Sequence, residues 1–329
     1  MTVAGTGQSF DVAAGERILA AGRRAGVWFP FECGWGGCGT CKVSVVEGET
    51  ALLFEQAPCV DPRDARRRRI VVCQSTPVSD VVLKPLRVDD APLPERPTRD
   101  HLARLDVREE LGPDIARFHF RLDHEAAYRP GQHAILELAP GLRRCYSMAG
   151  PPGSRDVSFI AKHYTGRPGS DRLFALEPGA HLPVELPYGD MWLRDGERPV
   201  VLVAGGTGIS AILALAQHVA QHLAEGSSVP RPVHVFYGAR TRDELVCWGE
   251  LEQAVARLDD ARLHGALLEP GPGWPGGVGH VTAPLTEQLP ALAEADFYVA
   301  GPPPMTDAVR ALLRENDVQL DRIRYDSFG

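Results

Sequence analysis

The sequence predicts a multi-domain protein of α+β and α/β class, with a β-grasp module, a six-stranded antiparallel β-barrel and a parallel α/β domain in that order. Three observations predict it. A cysteine- and glycine-rich loop lies among short helix and strand signals in residues 1–87. Short alternating strands fill residues 99–195, and strands alternate with helices in residues 196–329. Residues 88–98 contain three prolines and four charges, and they are predicted to be a linker.

The composition is typical of a globular protein, with 44% hydrophobic and 24% charged residues among 329. A formal net charge of −8 argues against nucleic-acid and anionic-membrane partners, because both favour basic surfaces. The N-terminus has no apolar signal core and no apolar run is long enough to span a membrane, so we expect a cytoplasmic protein. Disulfides are disfavoured there, and seven is an odd number of cysteines, so a dense cysteine cluster indicates metal or redox chemistry.

Three cysteines have C-x4-C-x2-C spacing, Cys33, Cys38 and Cys41, and Cys73 follows in the strand-like run Ile70–Gln74. This is the spacing of plant-type 2Fe-2S proteins, whose fourth thiolate ligand is distant. Glycines in the loop permit positive φ angles, so that backbone N–H groups can offset the negative charge of the cluster. The sequence therefore predicts a 2Fe-2S cluster. A zinc site and four unrelated structural thiols are the alternatives, although the two C-x2-C units usual for zinc are absent.

The flanks of the cysteine loop predict a small β-grasp module. A short helix is predicted over residues 16–26, a strand over 42–48, and strand-like residues 1–12 precede them. The basic run Arg66–Arg69 is interpreted as a solvated face or a docking patch for an acidic protein, with nucleic-acid binding a remote alternative. The remaining cysteines are expected to be small apolar fillers: Cys59, Cys145 and Cys247.

The middle of the chain predicts the antiparallel barrel. Glycine and proline turns separate the strands, as in Arg129–Gln132 and Ala149–Gly153, and one helix is predicted within Ser170–Leu176. The run Arg143–Met148 is a further strand, on which Arg144 and Tyr146 share a face. A guanidinium for phosphate and an aromatic edge for a flat ring suit a flavin nucleotide, although a plain strand is the alternative. The other predicted strands are Leu102–Val107, Ile115–Leu122, His133–Leu138, Val157–Ala161 and His181–Leu186.

The last third predicts a parallel sheet that binds a nucleotide at the carboxyl ends of its strands. Strands are predicted at Val200–Ala204, Val233–Tyr237, Leu263–Leu268, Phe297–Ala300 and Ile323–Tyr325. Helices are predicted near Ile209–Leu223, Asp243–Leu258 and Met305–Arg314.

Two loops of this domain carry the nucleotide signal. The glycines of Ala204–Ile209 allow a pyrophosphate to approach a helix N-terminus, although a tight turn without a ligand is the alternative. The prolines of Ala300–Met305 fix a rigid turn at the same place after a later strand, or are simply a rigid loop. Arg240, which ends the second strand, is either a partner for a cofactor phosphate or an ordinary surface arginine.

The chain resembles the single-chain reductases of bacterial aromatic-ring oxygenases, within the ferredoxin–NADP⁺ reductase superfamily. The resemblance covers essentially the whole chain and rests on four motifs in order: the cysteine loop, R-x-Y-S at Arg144–Ser147, G-G-T-G at Gly205–Gly208 and G-P-P-P-M at Gly301–Met305. Reductases of Rieske-type dioxygenases, such as those of carbazole and naphthalene dioxygenases, are similar also in the ending Arg324–Phe328.

The resemblance implies the cofactor residues by position. Phe328 is expected to cover the isoalloxazine or to belong to a frayed tail. No catalytic acid or base is assigned, because hydride transfer needs none. FAD is expected to be bound by Arg144, Tyr146, Ser147, Lys162, Gly169 and Ser170. The nicotinamide nucleotide is expected at Gly205, Gly206, Thr207, Gly208, Gly301, Pro302 and Met305.

The sequence departs from the family at two positions. Many relatives have cysteine where this chain has Ala300, so a thiol-dependent hydride path is not expected. Relatives often have proline where this chain has Ser210, a change expected to affect only the start of the helix.

NADH is preferred over NADPH, which stays the alternative. The 2′-phosphate of NADPH would call for a basic pocket after the second strand, and Arg240 and Arg242 are present there, but Asp243 and Glu244 directly follow.

The resemblance implies an NAD(P)H-dependent reductase. It would pass hydride from NADH to FAD, and then single electrons through the 2Fe-2S cluster to a Rieske-type dioxygenase or its separate ferredoxin. The alternatives are the reductase of a diiron monooxygenase or of a deoxysugar dehydratase, and a non-enzymatic redox sensor. We expect a monomer without nucleic-acid or membrane partners.

Overall fold

The computed structural model describes residues 1–31, 33–53, 59–86, 96–224 and 231–327. It divides into two compact units, which are Met1–Arg99 with Ala139–Arg144, and Asp100–Leu138 with Cys145–Gly329. Residues 88–95 of the predicted linker lie outside the described residues. Of the helices in the described part, none has both the length and the apolar character that crossing a bilayer requires.

The first unit contains a four-stranded mixed sheet and a separate two-stranded ribbon. Its elements are β1 (Thr2–Val3), α1 (Ile18–Arg24), β2 (Lys42–Glu47), β3 (Thr50–Leu52), α2 (Pro62–Arg66), β4 (Arg69–Val71), β5 (Ser75–Pro77) and β6 (Val82–Pro85). The sheet order is β1-β6-β2-β4, and β3 pairs with β5. β1 is parallel to β6, whereas β2 is antiparallel to both neighbours. The buried side of α1, from Ile18 to Gly22, packs into the core beside Phe29.

The strand prediction was wrong at Cys73. β4 ends at Val71, and Cys73 lies in a 3-10 turn over Val72–Gln74. Val71, Val72 and Cys73 are all fully buried, so the polarity of the run does not distinguish a strand from a turn. The strand-like residues 1–12 likewise form regular strand only at β1.

A curled six-stranded sheet is built mostly from residues of the second unit, although the division groups Arg99 and Ala139–Arg144 with the first. Its elements are β7 (Arg99–Gly112), β8 (Ile115–Leu122), β9 (His133–Ala139), β10 (Leu142–Ser147), β11 (Asp156–Lys162), α3 (Pro168–Phe174) and β12 (His181–Tyr188). The order is β10-β9-β12-β7-β8-β11, and the pairings of β7 with β8, β8 with β11 and β9 with β12 are antiparallel. An antiparallel bridge between Met148 and Phe159 joins the two edges, so the sheet curls round on itself.

The rest of the second unit is a six-stranded parallel sheet flanked by helices. Its elements are β13 (Val200–Gly205), α4 (Ile209–Ala224), β14 (Val233–Ala239), α5 (Trp248–Val255), β15 (Ala261–Leu267), β16 (Gly277–Val278), α6 (Thr282–Leu292), β17 (Asp296–Gly301), α7 (Pro303–Glu315) and β18 (Ile323–Ser327). The order β16-β15-β14-β13-β17-β18 reverses between β13 and β17. Such a reversal opens a crevice at the carboxyl ends of the strands, where ligands bind in open α/β sheets.

Two features of this domain differ from the sequence prediction. The helix expected over residues 243–258 is shorter, because the chain breaks at Cys247, which has a φ of 59°. Helix α6 was not predicted. It contains Pro284 in its first turn and Pro290 near its end, and prolines obscure a helical pattern even where the first turn tolerates them.

Candidate functional site

The cysteine loop of the first unit directs backbone N–H groups at its sulfurs. The N–H groups of Gly37 and Cys38 donate to the Cys33 Sγ at 3.3 and 3.4 Å, and that of Thr40 donates to the Cys38 Sγ at 3.5 Å. Such contacts stabilise thiolates. They agree with the expectation that backbone N–H groups of the loop point at the sulfurs and offset their negative charge. Positive φ angles occur at three loop glycines: Gly34, Gly36 and Gly39.

The four predicted ligand sulfurs form two pairs. Cys41 Sγ lies 3.3 Å from Cys73 Sγ, and their hydrogen bond lowers the pKa of Cys41 and raises that of Cys73. A hydrogen bond between Cys33 and Cys38 lowers the pKa of Cys38 to about 5 and raises that of Cys33. Two pairs of thiols fit two irons with two thiolate ligands each better than one tetrahedral zinc ion. The residues present therefore fit a 2Fe-2S cluster.

The other cysteines do not extend this ligand set. Burial raises the pKa of the Cys59 thiol to about 11 and that of Cys247 to about 12, so both stay protonated near neutral pH. The Cys247 Sγ accepts a hydrogen bond from the Arg117 guanidinium at 3.0 Å. All seven cysteines lie within the described residues, and none is in a disulfide.

Two of the four arginines in the basic run Arg66–Arg69 contact other groups of the first unit. Arg68 donates to the carbonyl groups of Val46 and Gly48, and Arg69 lies 3.7 Å from the Asp64 carboxylate. Arg66 and Arg67 are exposed.

In the second unit, the predicted flavin strand β10 meets the nucleotide domain at Ser147. The Ser147 hydroxyl donates to Asp326 Oδ2 at 3.1 Å, and His133 Nδ1 lies 3.6 Å from the same oxygen. Ser147 is buried, Tyr146 is partly buried and Arg144 is exposed. Sequence reasoning missed Asp326, because an aspartate on the last strand carries no local signal of its tertiary partner.

Ser210 makes the second connection at this joint. Its hydroxyl donates to the Ser147 carbonyl at 2.6 Å and accepts the Ile160 N–H at 3.4 Å, and the residue is 1% exposed. The expectation that this position affects only the start of the helix was incomplete. A serine here ties α4 to both edges of the curled sheet, and a proline has no hydroxyl with which to do so.

Close contacts between the two glycine loops shape the crevice between β13 and β17. A Cβ on Gly208 would lie 2.0 Å from the Ala300 carbonyl oxygen, and one on Gly301 would lie 2.4 Å from the Met305 methyl carbon. A Cβ on Gly205 would likewise lie 2.7 Å from the Met305 methyl carbon. Gly206 differs, because its φ is 52° and its Cβ position faces open space. Of these four glycines, only Gly206 therefore has open space beside its backbone in which a ligand could lie.

The end of β14 brings charged groups to the same region. Lys162 Nζ lies 2.6 Å from Glu244 Oε1, and both side chains are about three-quarters buried. The phenol of Tyr237 lies 3.4 Å from the carbonyl oxygens of Gly206 and Glu244, and burial raises its pKa, so it stays protonated. Arg240 is exposed.

The remaining predicted residues fall in three places. Gly169 is buried in α3, and the Ser170 hydroxyl accepts the Tyr164 N–H at 3.0 Å, so it holds the preceding turn. Thr207 is partly buried in the 3-10 turn before α4, and Pro302 immediately precedes α7. Phe328 lies outside the described residues.

Comparison with known families finds three matches in sequence order. Residues 1–78 match the 2Fe-2S iron-sulfur cluster binding domain, residues 102–192 the oxidoreductase FAD-binding domain, and residues 202–311 the oxidoreductase NAD-binding domain.

Relatives and solved structures cover nearly the whole chain. It is 36% identical over 331 residues to the ferredoxin–NAD(+) reductase component of the alkene monooxygenase system of Xanthobacter autotrophicus, with 98% of each chain covered. It is 32% identical over 326 residues to the ferredoxin–NAD(P)(+) reductase CarAd of Metapseudomonas resinovorans, with 95% of each covered. The structure of the ferredoxin reductase in carbazole 1,9a-dioxygenase is 28% identical, with a TM-score of 0.85, and the match covers 100% of this chain and 97% of that one.

Proposed function

Because this chain belongs to the family of 2Fe-2S, FAD and NAD(P)H reductases that serve oxygenase systems, we propose that it supplies an oxygenase component, or its separate ferredoxin, with electrons from NADH. The joint at Ser147 carries the proposal. There the strand expected to hold the flavin is bonded directly to α4 and β18, the elements that border the nucleotide crevice. Hydride transfer needs its donor and acceptor side by side, and this joint supports that placement.

We assign flavin binding to the curled sheet, which we interpret as the predicted barrel. FAD, when bound, accepts a hydride and releases electrons one at a time, as a one-electron cluster requires. Arg144 is proposed to pair with the flavin pyrophosphate, because the residue is exposed and a guanidinium suits a phosphate group. Tyr146 offers an aromatic face beside it, and the buried Ser147 hydroxyl is oriented by Asp326. Gly169 and Ser170 are proposed to shape the neighbouring turn.

The nicotinamide nucleotide is proposed to lie along the crevice between β13 and β17. The open backbone at Gly206 and Thr207 precedes the 16-residue helix α4, whose N-terminus favours a pyrophosphate. Met305 packs against Gly205 and Gly301 and so fixes the position of one loop against the other. Lys162 is proposed to act through its ion pair with Glu244, and this carboxylate near the end of β14 disfavours the extra phosphate of NADPH. NADH is therefore the preferred donor.

Two classes of acceptor are supported by different observations. Similarity to the carbazole dioxygenase reductase supports the Rieske-type dioxygenase that the sequence motifs indicate. The relative at 36% identity, which belongs to an alkene monooxygenase system, supports the monooxygenase alternative. A monomeric state, a cytoplasmic location and the domain boundaries at residues 87, 98 and 195 stay predictions.

The test starts with anaerobically purified protein. Flavin bands, a broad visible 2Fe-2S envelope and matching iron analysis are expected, and NADH should bleach both faster than NADPH does. Cytochrome c should then be reduced catalytically. Turnover with each oxygenase component encoded by neighbouring genes separates the two acceptor classes. Zinc in place of iron, or a flavin that neither nucleotide bleaches, would overturn the proposal.

A further inference from the structure

Two histidines and an aspartate converge at one end of the curled sheet, away from the cofactor residues. His101 lies near the start of β7, and Asp123 and His124 directly follow β8. The ladder pairs Ala103 with Leu122, and the Asp123 N–H continues it by donating to the Leu102 carbonyl at 3.0 Å. Extending this register places His101 opposite His124. Directly opposite residues on antiparallel strands have Cβ atoms about 4.5–5.5 Å apart, so their side chains can meet.

The donor atoms of these residues are close enough to share one ion. The Nδ1 atoms of His101 and His124 lie 3.6 and 2.9 Å from Asp123 Oδ1, and one donor from each residue lies within 4.8 Å of the others. In a tetrahedral site with Zn–N and Zn–O bonds of about 2.0–2.2 Å, neighbouring donors are about 3.3 Å apart. The two imidazole rings are stacked, with centroids 4.0 Å apart and planes inclined by 19°.

We propose that His101, Asp123 and His124 bind a divalent transition metal ion of the zinc class. Imidazole nitrogen with one carboxylate oxygen is a donor set that suits zinc, nickel and copper rather than calcium or magnesium. The His101 side chain is 1% exposed and fixes one ligand, whereas Asp123 and His124 are nearly half exposed and admit the ion from solvent. This leaves a fourth position for water. The site lies outside the proposed flavin and nucleotide residues, so it is not part of the electron path.

The histidine pair on α4 provides a matched comparison. His218 and His222 also stack, with centroids 3.9 Å apart, but His222 Nδ1 donates to the His218 carbonyl at 3.1 Å. Among the described residues, no His, Cys, Asp or Glu completes a three-donor group with this pair. Both histidine pairs therefore have neighbouring rings. Among the described residues, only the pair in the proposed site also has a carboxylate within reach.

The experiment titrates Zn²⁺ into the holoprotein by calorimetry near neutral pH, with cluster and flavin verified by absorbance. One zinc ion per chain is expected for the unaltered protein and for the control His218→Gln. His124→Gln and Asp123→Asn should each weaken binding by more than about 100-fold, because loss of even an outer-shell partner costs 10–100-fold. Both variants should keep NADH-dependent ferricyanide reduction, which shows that they fold.

X-ray absorption at the zinc edge identifies the ligands. The expected spectrum has nitrogen and oxygen donors at about 2.0–2.2 Å with imidazole scattering, and no sulfur at about 2.3 Å. The proposal is overturned by a sulfur shell, by equal affinity in His124→Gln and the unaltered protein, by loss of binding in His218→Gln alone, or by no binding at all.

Discussion

The cluster loop and the joint at Ser147 are two sites built in opposite ways. Three of the four proposed cluster ligands lie within nine residues of sequence, between Cys33 and Cys41. At the joint, by contrast, Ser147 meets partners 63 and 179 residues away, on α4 and β18. The loop takes its geometry from the covalent chain, whereas the joint takes it from packing. A change in the loop should therefore act locally, and a change at the joint should act through burial and hydrogen bonding.

The largest effect is expected from Cys73→Ala, which tests how local the cluster site is. Cys73 is fully buried, and if it is the fourth ligand as proposed, its removal should abolish the 2Fe-2S absorbance and cytochrome c reduction, because one iron loses a thiolate. Ferricyanide reduction by the flavin half should persist. Cys59→Ala is the control and should keep both activities. Loss of both activities in Cys73→Ala would show that the two sites are not separable.

Gly208→Ala tests the packed crevice and is expected to have the next largest effect. The new methyl group would lie 2.0 Å from the Ala300 carbonyl oxygen, so the two loops must move apart. Overpacking of this kind costs about 1–3 kcal/mol of unfolding free energy. We also expect the KM for NADH to rise about tenfold, since about 1.4 kcal/mol of lost binding corresponds to that factor.

Gly249→Ala is the matched control, because a Cβ at this position in α5 meets nothing within 4 Å. It should raise the unfolding free energy by about 0.5–1 kcal/mol, the usual gain from alanine within a helix. Its KM for NADH should not change. Equal rises of KM in both variants would contradict the assignment of the crevice.

Ser210→Ala tests the hydrogen bond between α4 and β10, the strand that is proposed to hold the flavin. It leaves the buried Ser147 carbonyl without its 2.6 Å donor, which costs about 1–3 kcal/mol. Flavin bleaching by NADH in stopped flow should slow several-fold, while iron and flavin contents stay unchanged. Ser210→Pro should slow it in the same way, because proline is tolerated in the first turn of a helix. A defect in the proline variant alone would mean that only the helix start matters.

The smallest effect is expected from Asp64→Asn, because Asp64 stabilises the first unit through an ion pair and a helix cap rather than through a sulfur atom. Asp64 lies 2.7 Å from Lys42 and caps α2 reciprocally with Asp61. The hydrogen bond from Lys42 lowers the pKa of Asp64 below its usual 3.8. The carboxylate therefore stabilises the fold above that value, and the contribution is lost as the pH falls through the lowered pKa.

The measurement is the urea concentration at the midpoint of unfolding, followed by far-ultraviolet circular dichroism from neutral pH into acid, because the cluster itself decomposes in acid. Asp64→Asn should lower the stability by about 1 kcal/mol at neutral pH, because the asparagine keeps an acceptor oxygen for its partners but loses the charge, and the difference should vanish in acid. Asp80→Asn, which changes an exposed carboxylate of the same unit, should show no such pattern. A constant difference at every pH would contradict the role of the charge.

The contrast between the two sites also explains what the sequence could predict. The proposed cluster ligands follow from spacing, because chain connectivity alone holds three of these cysteines together. The helix and strand alternation around β13 and β17 follows from apolar runs that are buried on both faces. Asp326 could not be found in this way, since nothing near it in sequence indicates Ser147.

Other misses have equally specific causes. Ser210 was recognised as a departure from the family, but its hydroxyl acquires a role only when the curled sheet is folded beside α4. Helix α6 was hidden by Pro284 and Pro290. The turn at Cys73 was hidden because Val71, Val72 and Cys73 are all fully buried, so the run shows no alternation.

Solvent access falls steadily across the four proposed sulfur ligands, from the exposed Cys38 through Cys33 to Cys41 and Cys73, which are 3% and 0% exposed. The cluster would therefore have one solvent-exposed edge, at Cys38, and one buried edge, at Cys41 and Cys73. Electrons leave most readily where the insulating protein is thinnest, and hydrogen peroxide reaches a thiolate most readily at the same place. We therefore expect the Cys38 edge both to pass electrons to the acceptor and to be the first part of the cluster that oxidants damage.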